Sequence, residues 1–182
     1  MLTPSPWIAR FAHLVAPGAR LLDVACGSGR HARYFAGRGA MVEAVDRDAE
    51  VVAALNAGRQ VTALAADIEN GPWPYAGRQF DAIVVTNYLH RPLFGALLES
   101  LAPDGVLLYE TFAQGNARFG KPSNPDFLLA PGELLARCAG LHVLAYEDGV
   151  TGRPPSARMQ RIAAIRPLAD GIEAGAIDRL QL

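Results

Sequence analysis

Asp23, Asp46 and Asp67 each close a short apolar run, and the first leads at once into Ala25-Cys26-Gly27-Ser28-Gly29. A carboxylate is an acceptor-only group that can take two O–H or N–H donors together. Gly27 and Gly29 reach backbone angles closed to other residues and let a ligand approach the main chain. Arg30-His31-Ala32-Arg33-Tyr34-Phe35-Ala36 then has helical spacing. A helix start there offers free N–H groups and a partial positive charge. Together these suit a nucleoside whose other end is anionic. Asp46 stands 17 residues past Gly29, near the ~20-residue interval at which an acid takes ribose hydroxyls. Asp67-Ile68 is placed to accept from an adenine amine.

Each candidate has a plainer reading. The glycines could form an ordinary strand-to-helix turn, and Asp46 or Asp67 could cap helices. Asp48 is the better cap for the helix that follows, which frees Asp46. His90, in Asn87-Tyr88-Leu89-His90-Arg91-Pro92, has an imidazole able to take a proton from an acceptor. It equally suits a helix-start histidine with no chemical role. Tyr88 and Glu110 are lesser candidates for the same task. Arg10, one helical turn from Trp7, could cover a cofactor or simply face solvent. Cys26 reads as a small buried residue.

Alternating strand-like and helical patterns must position these groups, which argues for an α/β fold with a mostly parallel sheet. Strands are expected at 20–24, 41–45, 61–65, 80–85, 106–109, 141–146 and 160–165. Helices are expected at 4–15, 30–36, 49–57, 92–101 and 131–138. Pro103-Asp104-Gly105 reads as a turn and 113–126 as a long loop, a length that is commonly functional. Gly149, Gly152, Pro154 and Pro155 permit a hairpin. One domain is expected over 1–182: an N-terminal helix in 1–18, a core in 19–166 and a weakly patterned tail in 167–182. In such sheets ligands sit at the carboxyl ends of the strands, where Asp23, Asp46, Asp67 and Asn87 all fall.

The 182 residues are 51% hydrophobic and 19% charged with net charge −1, a globular composition with no polyanion-binding signature. Two cysteines and four histidines make neither a disulfide framework nor a ligand-spaced metal cluster, so no metal is expected. No signal-like segment or membrane-length apolar run is present, and a cytoplasmic protein without membrane or nucleic-acid partners is the expectation. Arg91, Arg118 and Lys121 point to a small, anionic acceptor. A monomer or weak homodimer is expected.

Leu21-Leu22-Asp23-Val24-Ala25-Cys26-Gly27-Ser28-Gly29 resembles the first motif of class I S-adenosylmethionine-dependent methyltransferases, an acid followed by alternating glycines, with Ala25 at the first glycine position. Asp46 and Asp67 match the acids after the family's second and third strands. The resemblance spans 20–165 and implies a three-layer Rossmann-like fold, a seven-stranded mostly parallel sheet with an antiparallel last strand. It implies S-adenosylmethionine as cofactor: Asp23, Ala25, Gly27 and Gly29 by the methionine part, Asp46 with Arg47 at the ribose, and Asp67 with Ile68 at the adenine. Asn87 joins them at the end of strand four. The segment from Glu110 to Pro131 is loosely similar to small tellurite-resistance-type methyltransferases. The implied reaction is methyl transfer to a small molecule by in-line displacement.

An NAD(P)-dependent oxidoreductase also fits Gly27-Ser28-Gly29-Arg30-His31-Ala32, but the lone Lys121 has Ala117 four residues before it, which rules out a Tyr-x-x-x-Lys pair. The prolines of base-methylating enzymes are missing after Asn87. A non-catalytic cofactor-binding protein remains the last alternative.

Overall fold

The computed structural model describes residues 3–152 and 156–168. Seven strands form one sheet in the order β3-β2-β1-β4-β5-β7-β6, with β1 Arg20–Val24, β2 Met41–Asp46, β3 Val61–Ala65, β4 Phe80–Thr86, β5 Leu101–Phe112, β6 His142–Val150 and β7 Arg158–Ile165. The first five run parallel, and β7 is antiparallel to both β5 and β6. Strand order reverses between β1 and β4, so a crevice opens at their carboxyl ends.

Both faces of the central strands are apolar because helices cover both. Leu21, Ala82, Val84 and Leu108 face α1 (Pro6–Arg10), α2 (Arg30–Ala36) and α3 (Ala49–Ala57) through Ile8, Phe35 and Leu55. Leu22, Val24, Ile83, Val85 and Leu107 face α4 (Phe94–Glu99) and α5 (Glu133–Arg137) through Phe94, Leu97 and Leu134. Each fully buried Leu or Phe contributes about 1.5–3 kcal/mol. Among the described residues no helix is long and apolar enough to cross a membrane.

Several expected boundaries differ: β6 and β7 are longer than 141–146 and 160–165, and α5 is shorter than 131–138. The 4–15 helix is α1 followed by a 3-10 turn at Ala12–Leu14. Phe11, Ala12, Leu14 and Val15 are all buried, a wider arc than one helical stripe presents. The 92–101 helix starts as a 3-10 turn at Arg91–Leu93 and ends at Glu99, because Leu101 already pairs with Phe80. Pro103-Asp104-Gly105 is an irregularity within β5, where the register shifts between Phe80 and Ala82, and Asp104 takes φ +61°. The hairpin of β6 and β7 forms, although Pro154, Pro155 and the tail from 169 lie outside the described residues.

The first turn of α2 depends on Gly29, which has φ +69°. A Cβ placed there would come within 2.3 Å of Leu55 Cδ2. Ala25 also has a left-handed φ, +52°. Opposite substitutions should therefore move stability in opposite directions, read by urea unfolding. Gly29→Ala should cost about 2–3 kcal/mol through strain and the displaced leucine, and Ala25→Gly should gain about 1 kcal/mol. A neutral Gly29→Ala would contradict this account.

Candidate functional site

β1 delivers Asp23 beneath the loop. Its side chain is 1% exposed, and Oδ2 accepts the Ala32 N–H at 2.9 Å, which ties the strand to α2. Among the described residues its Oδ1 is buried without a hydrogen-bond partner. Burial raises its pKa to about 7, against smaller lowering effects from the Ala32 N–H and Arg30. A carboxylate so placed is costly unless something supplies a donor.

β2 delivers Asp46 to the other side of the same loop. Its Oδ2 accepts the Gly27 N–H at 2.8 Å, and its Oδ1 accepts the Asp48 N–H at 3.0 Å. Two of about four lone-pair positions remain for ligand hydroxyls. Asp48 caps α3, accepting from Glu50 and Val51, as its position suggests.

Asp46 opens onto a cleft of about 290 Å³ lined also by Ala25, Arg47, Ala66, Asp67, Ile68, Glu69, Tyr88 and Phe127. The size and the mixed lining, apolar walls with carboxylates at the rim, fit an adenosine. Asp67 is more occupied than the sequence suggests. Oδ1 accepts from Glu69 N–H and Asn70 N–H, and Oδ2 from Asn70 Nδ2. These bonds lower its pKa, with that from Asn70 Nδ2 largest. Oδ2 keeps capacity for a further donor.

Asn87, at φ +55°, does not line this cleft. It lines a second cleft of about 810 Å³, with Pro4, Ser5, Arg30, Glu110, Phe112, Met159 and Arg161 among its walls. The loop that follows β1 touches both, with Ala25 in the first and Arg30, at its far end, in the second. His90 lines neither cleft; it precedes the 3-10 turn at Arg91, where its carbonyl accepts the Leu93 N–H.

Several side chains have structural tasks. Arg91 forms a two-pronged pair with Glu133 at 2.8 and 2.9 Å and donates to the carbonyls of Asp126 and Leu128. It fastens the long loop and is thus engaged internally. Glu133 is held at a pKa of about 2, chiefly by that Arg91 bond. Arg118 and Lys121 are exposed on that loop and line neither cleft. Arg10 packs over Phe11 and Trp7 and pairs with Glu147 at 3.6 Å. His31 is 1% exposed. Its Nε2 accepts the Ser5 N–H at 3.1 Å and its Nδ1 faces Thr86 Oγ1 at 3.3 Å, so the neutral ring bridges the N-terminal segment to β4. Burial lowers its pKa to about 4. Burial also pushes the Cys26 thiol up, which keeps it protonated.

Sequence reasoning passed over Phe127, Ser5 and Arg161. Phe127 sits in a loop without periodicity, and the other two matter only through contacts with distant segments. Glu110 carries the signal that marked Asp46, an acid ending an apolar strand, but enters the sequence reading only as a lesser base.

Residues 21–105 match the family described as a methyltransferase domain. No curated protein matches the chain in sequence. Similar solved structures include TehB from Haemophilus influenzae, 19% identical with TM-score 0.75 over 90% of this chain and 62% of that one. The chain thus spans less than two thirds of that protein. A TehB-like S-adenosylmethionine-dependent methyltransferase from Corynebacterium glutamicum is 19% identical, TM-score 0.65, over 88% and 87% of the two chains. The cyclase SpnF is 20% identical, TM-score 0.69, over 88% and 80%.

Proposed function

We propose, from the methyltransferase-domain match over residues 21–105 and the fold shared with an S-adenosylmethionine-dependent methyltransferase, that this chain transfers the methyl group of S-adenosylmethionine to a small-molecule acceptor. Bound in the crevice, that cofactor supplies a methyl already activated on a sulfonium. Asp46 holds the ribose hydroxyls, with Arg47 beside it. Asp67 and Ile68 receive the adenine, and Phe127 closes the mouth of that cleft. Asp23 and the backbone of Ala25, Gly27 and Gly29 support the methionine end. Asn87 and Arg30 border the cleft where the acceptor enters. The chain's main task is to align two reactants, and such positioning can supply ~7–11 kcal/mol of barrier reduction.

The observation that carries this reading is the Asp46 carboxylate, which bonds the Gly27 N–H at 2.8 Å and lines an adenosine-sized cleft with Asp67. An oxidoreductase reading shares the crevice, and SpnF, called a cyclase, shows that the fold hosts other activities. Calorimetry with S-adenosylhomocysteine tests the proposal, with saturable micromolar binding expected. Absence of binding at hundreds of micromolar, or thermal stabilisation by NAD instead, would end it.

A further inference from the structure

The wide cleft contains a buried acid that cofactor binding does not use. Glu110 ends the apolar run of β5 and is 3% exposed, yet it lines the 810 Å³ cleft. Ser5, whose Oγ accepts the Ile8 N–H at the start of α1, lines the same cleft beside it. Arg161 Nε lies 3.3 Å from Glu110 Oε2. The same guanidinium reaches Glu147 at 3.2 Å, and Glu147 reaches Arg10. Arg161 is therefore shared between two carboxylates. Burial raises the Glu110 pKa, opposed by Ser5, Arg161 and Arg30 and reinforced by Glu147.

The rest of the cleft is largely apolar: Pro4, Pro6, Phe112, Ala157 and Met159. Glu110 and Arg161 cancel in charge. Arg30, which opens α2, lines the cleft as well, where the cofactor's carboxylate would meet it.

We propose that this cleft is the acceptor site, that Glu110 takes the acceptor's proton, and that the acceptor is a neutral, apolar-bodied phenol or thiol. The inference rests on the methyltransferase reading above. The acceptor's O–H or S–H bond breaks, and its proton passes to the Glu110 carboxylate. The acceptor's electron pair forms the new bond to the methyl carbon. The carbon–sulfur bond of the sulfonium breaks with its pair left on sulfur as a thioether. The open cleft then lets Glu110 return the proton to water.

The test uses phenol and phenylmethanethiol, both largely un-ionised at neutral pH, as protic probes and thioanisole as a probe with no proton to lose. S-adenosylhomocysteine is first titrated into wild type, Glu110→Gln and Glu110→Asp, with affinities expected to agree within about threefold. Wild type should methylate a protic probe and not thioanisole. Glu110→Gln should cut kcat about 100-fold or more and abolish the limb of the pH profile that rises as the acid ionises, as loss of a general base does. Glu110→Asp should restore part of the rate, and it carries the test should the glutamine variant not fold. Three results would overturn the proposal: a Glu110→Gln kcat within about threefold of wild type, equal transfer to thioanisole, or no transfer to either protic probe. Failure of wild type to bind S-adenosylhomocysteine defeats the underlying methyltransferase reading instead.

Discussion

Asp46→Ala is expected to weaken S-adenosylhomocysteine binding by about 100-fold, measured by calorimetry. Two effects combine. In the proposed complex the carboxylate would offer its free lone pairs to ribose hydroxyls, and charge-assisted bonds are worth about 1.5–3 kcal/mol each. It also fixes the loop through the Gly27 N–H, so its loss leaves that loop to be ordered at the expense of binding. Asp46→Asn keeps one acceptor oxygen and should fall between, about tenfold weaker. The unfolding midpoint should move little, because the side chain is only partly buried and Asp48 continues to cap α3. Equal affinity for wild type and Asp46→Ala would remove the ribose assignment.

The elements that build this site are legible because their signals are local. β1, β2 and β3 are apolar runs bounded by glycine, proline or aspartate, and their observed limits, Arg20–Val24, Met41–Asp46 and Val61–Ala65, lie within one residue of expectation. Asp48 is recognisable as a cap from its position alone. What eludes the sequence depends on partners far along the chain. Arg91 looks like a free cation until Glu133, 42 residues later, turns its side chain into the loop's fastening. His31 looks like a surface residue at a helix start until Ser5 and Thr86 enclose it. Pro103-Asp104-Gly105 has the chemistry of a turn, and only the pairing of Leu101 with Phe80 makes it an irregularity inside a strand. Asp67 is the intermediate case. Its Asx-type bonds to Glu69 and Asn70 are local enough to foresee, and they leave less of it for adenine than strand-end position implies.

Asp23→Asn should make the ligand-free protein more stable at alkaline pH and at the same time a poorer binder. The folded-state pKa of Asp23 is raised from 3.8 to about 7. Its contribution to stability is therefore fully present below about pH 4 and is lost as pH rises through about 7. A shift of that size corresponds to about 4 kcal/mol at full ionisation. An asparagine removes the charge, keeps an oxygen for the Ala32 N–H and leaves an unpaired amide, which returns about 1–2 kcal/mol. The net expectation is a gain of about 2 kcal/mol near pH 8 that shrinks as pH falls, crosses zero near about pH 5, and becomes a loss of about 1–2 kcal/mol below about pH 4, where the acid is protonated and only the amide's cost remains. Urea unfolding of both proteins across that range reads the difference. His31, whose lowered pKa works in the opposite sense between about pH 6.5 and 4, is common to both and cancels. S-adenosylhomocysteine affinity should drop about tenfold in the variant, since a buried charge at the loop favours a cationic ligand group. Those two results together would mark the orphaned oxygen as one kept for the ligand. Unchanged affinity, or a stability difference that does not vary with pH, would instead make Asp23 only a strut between β1 and α2.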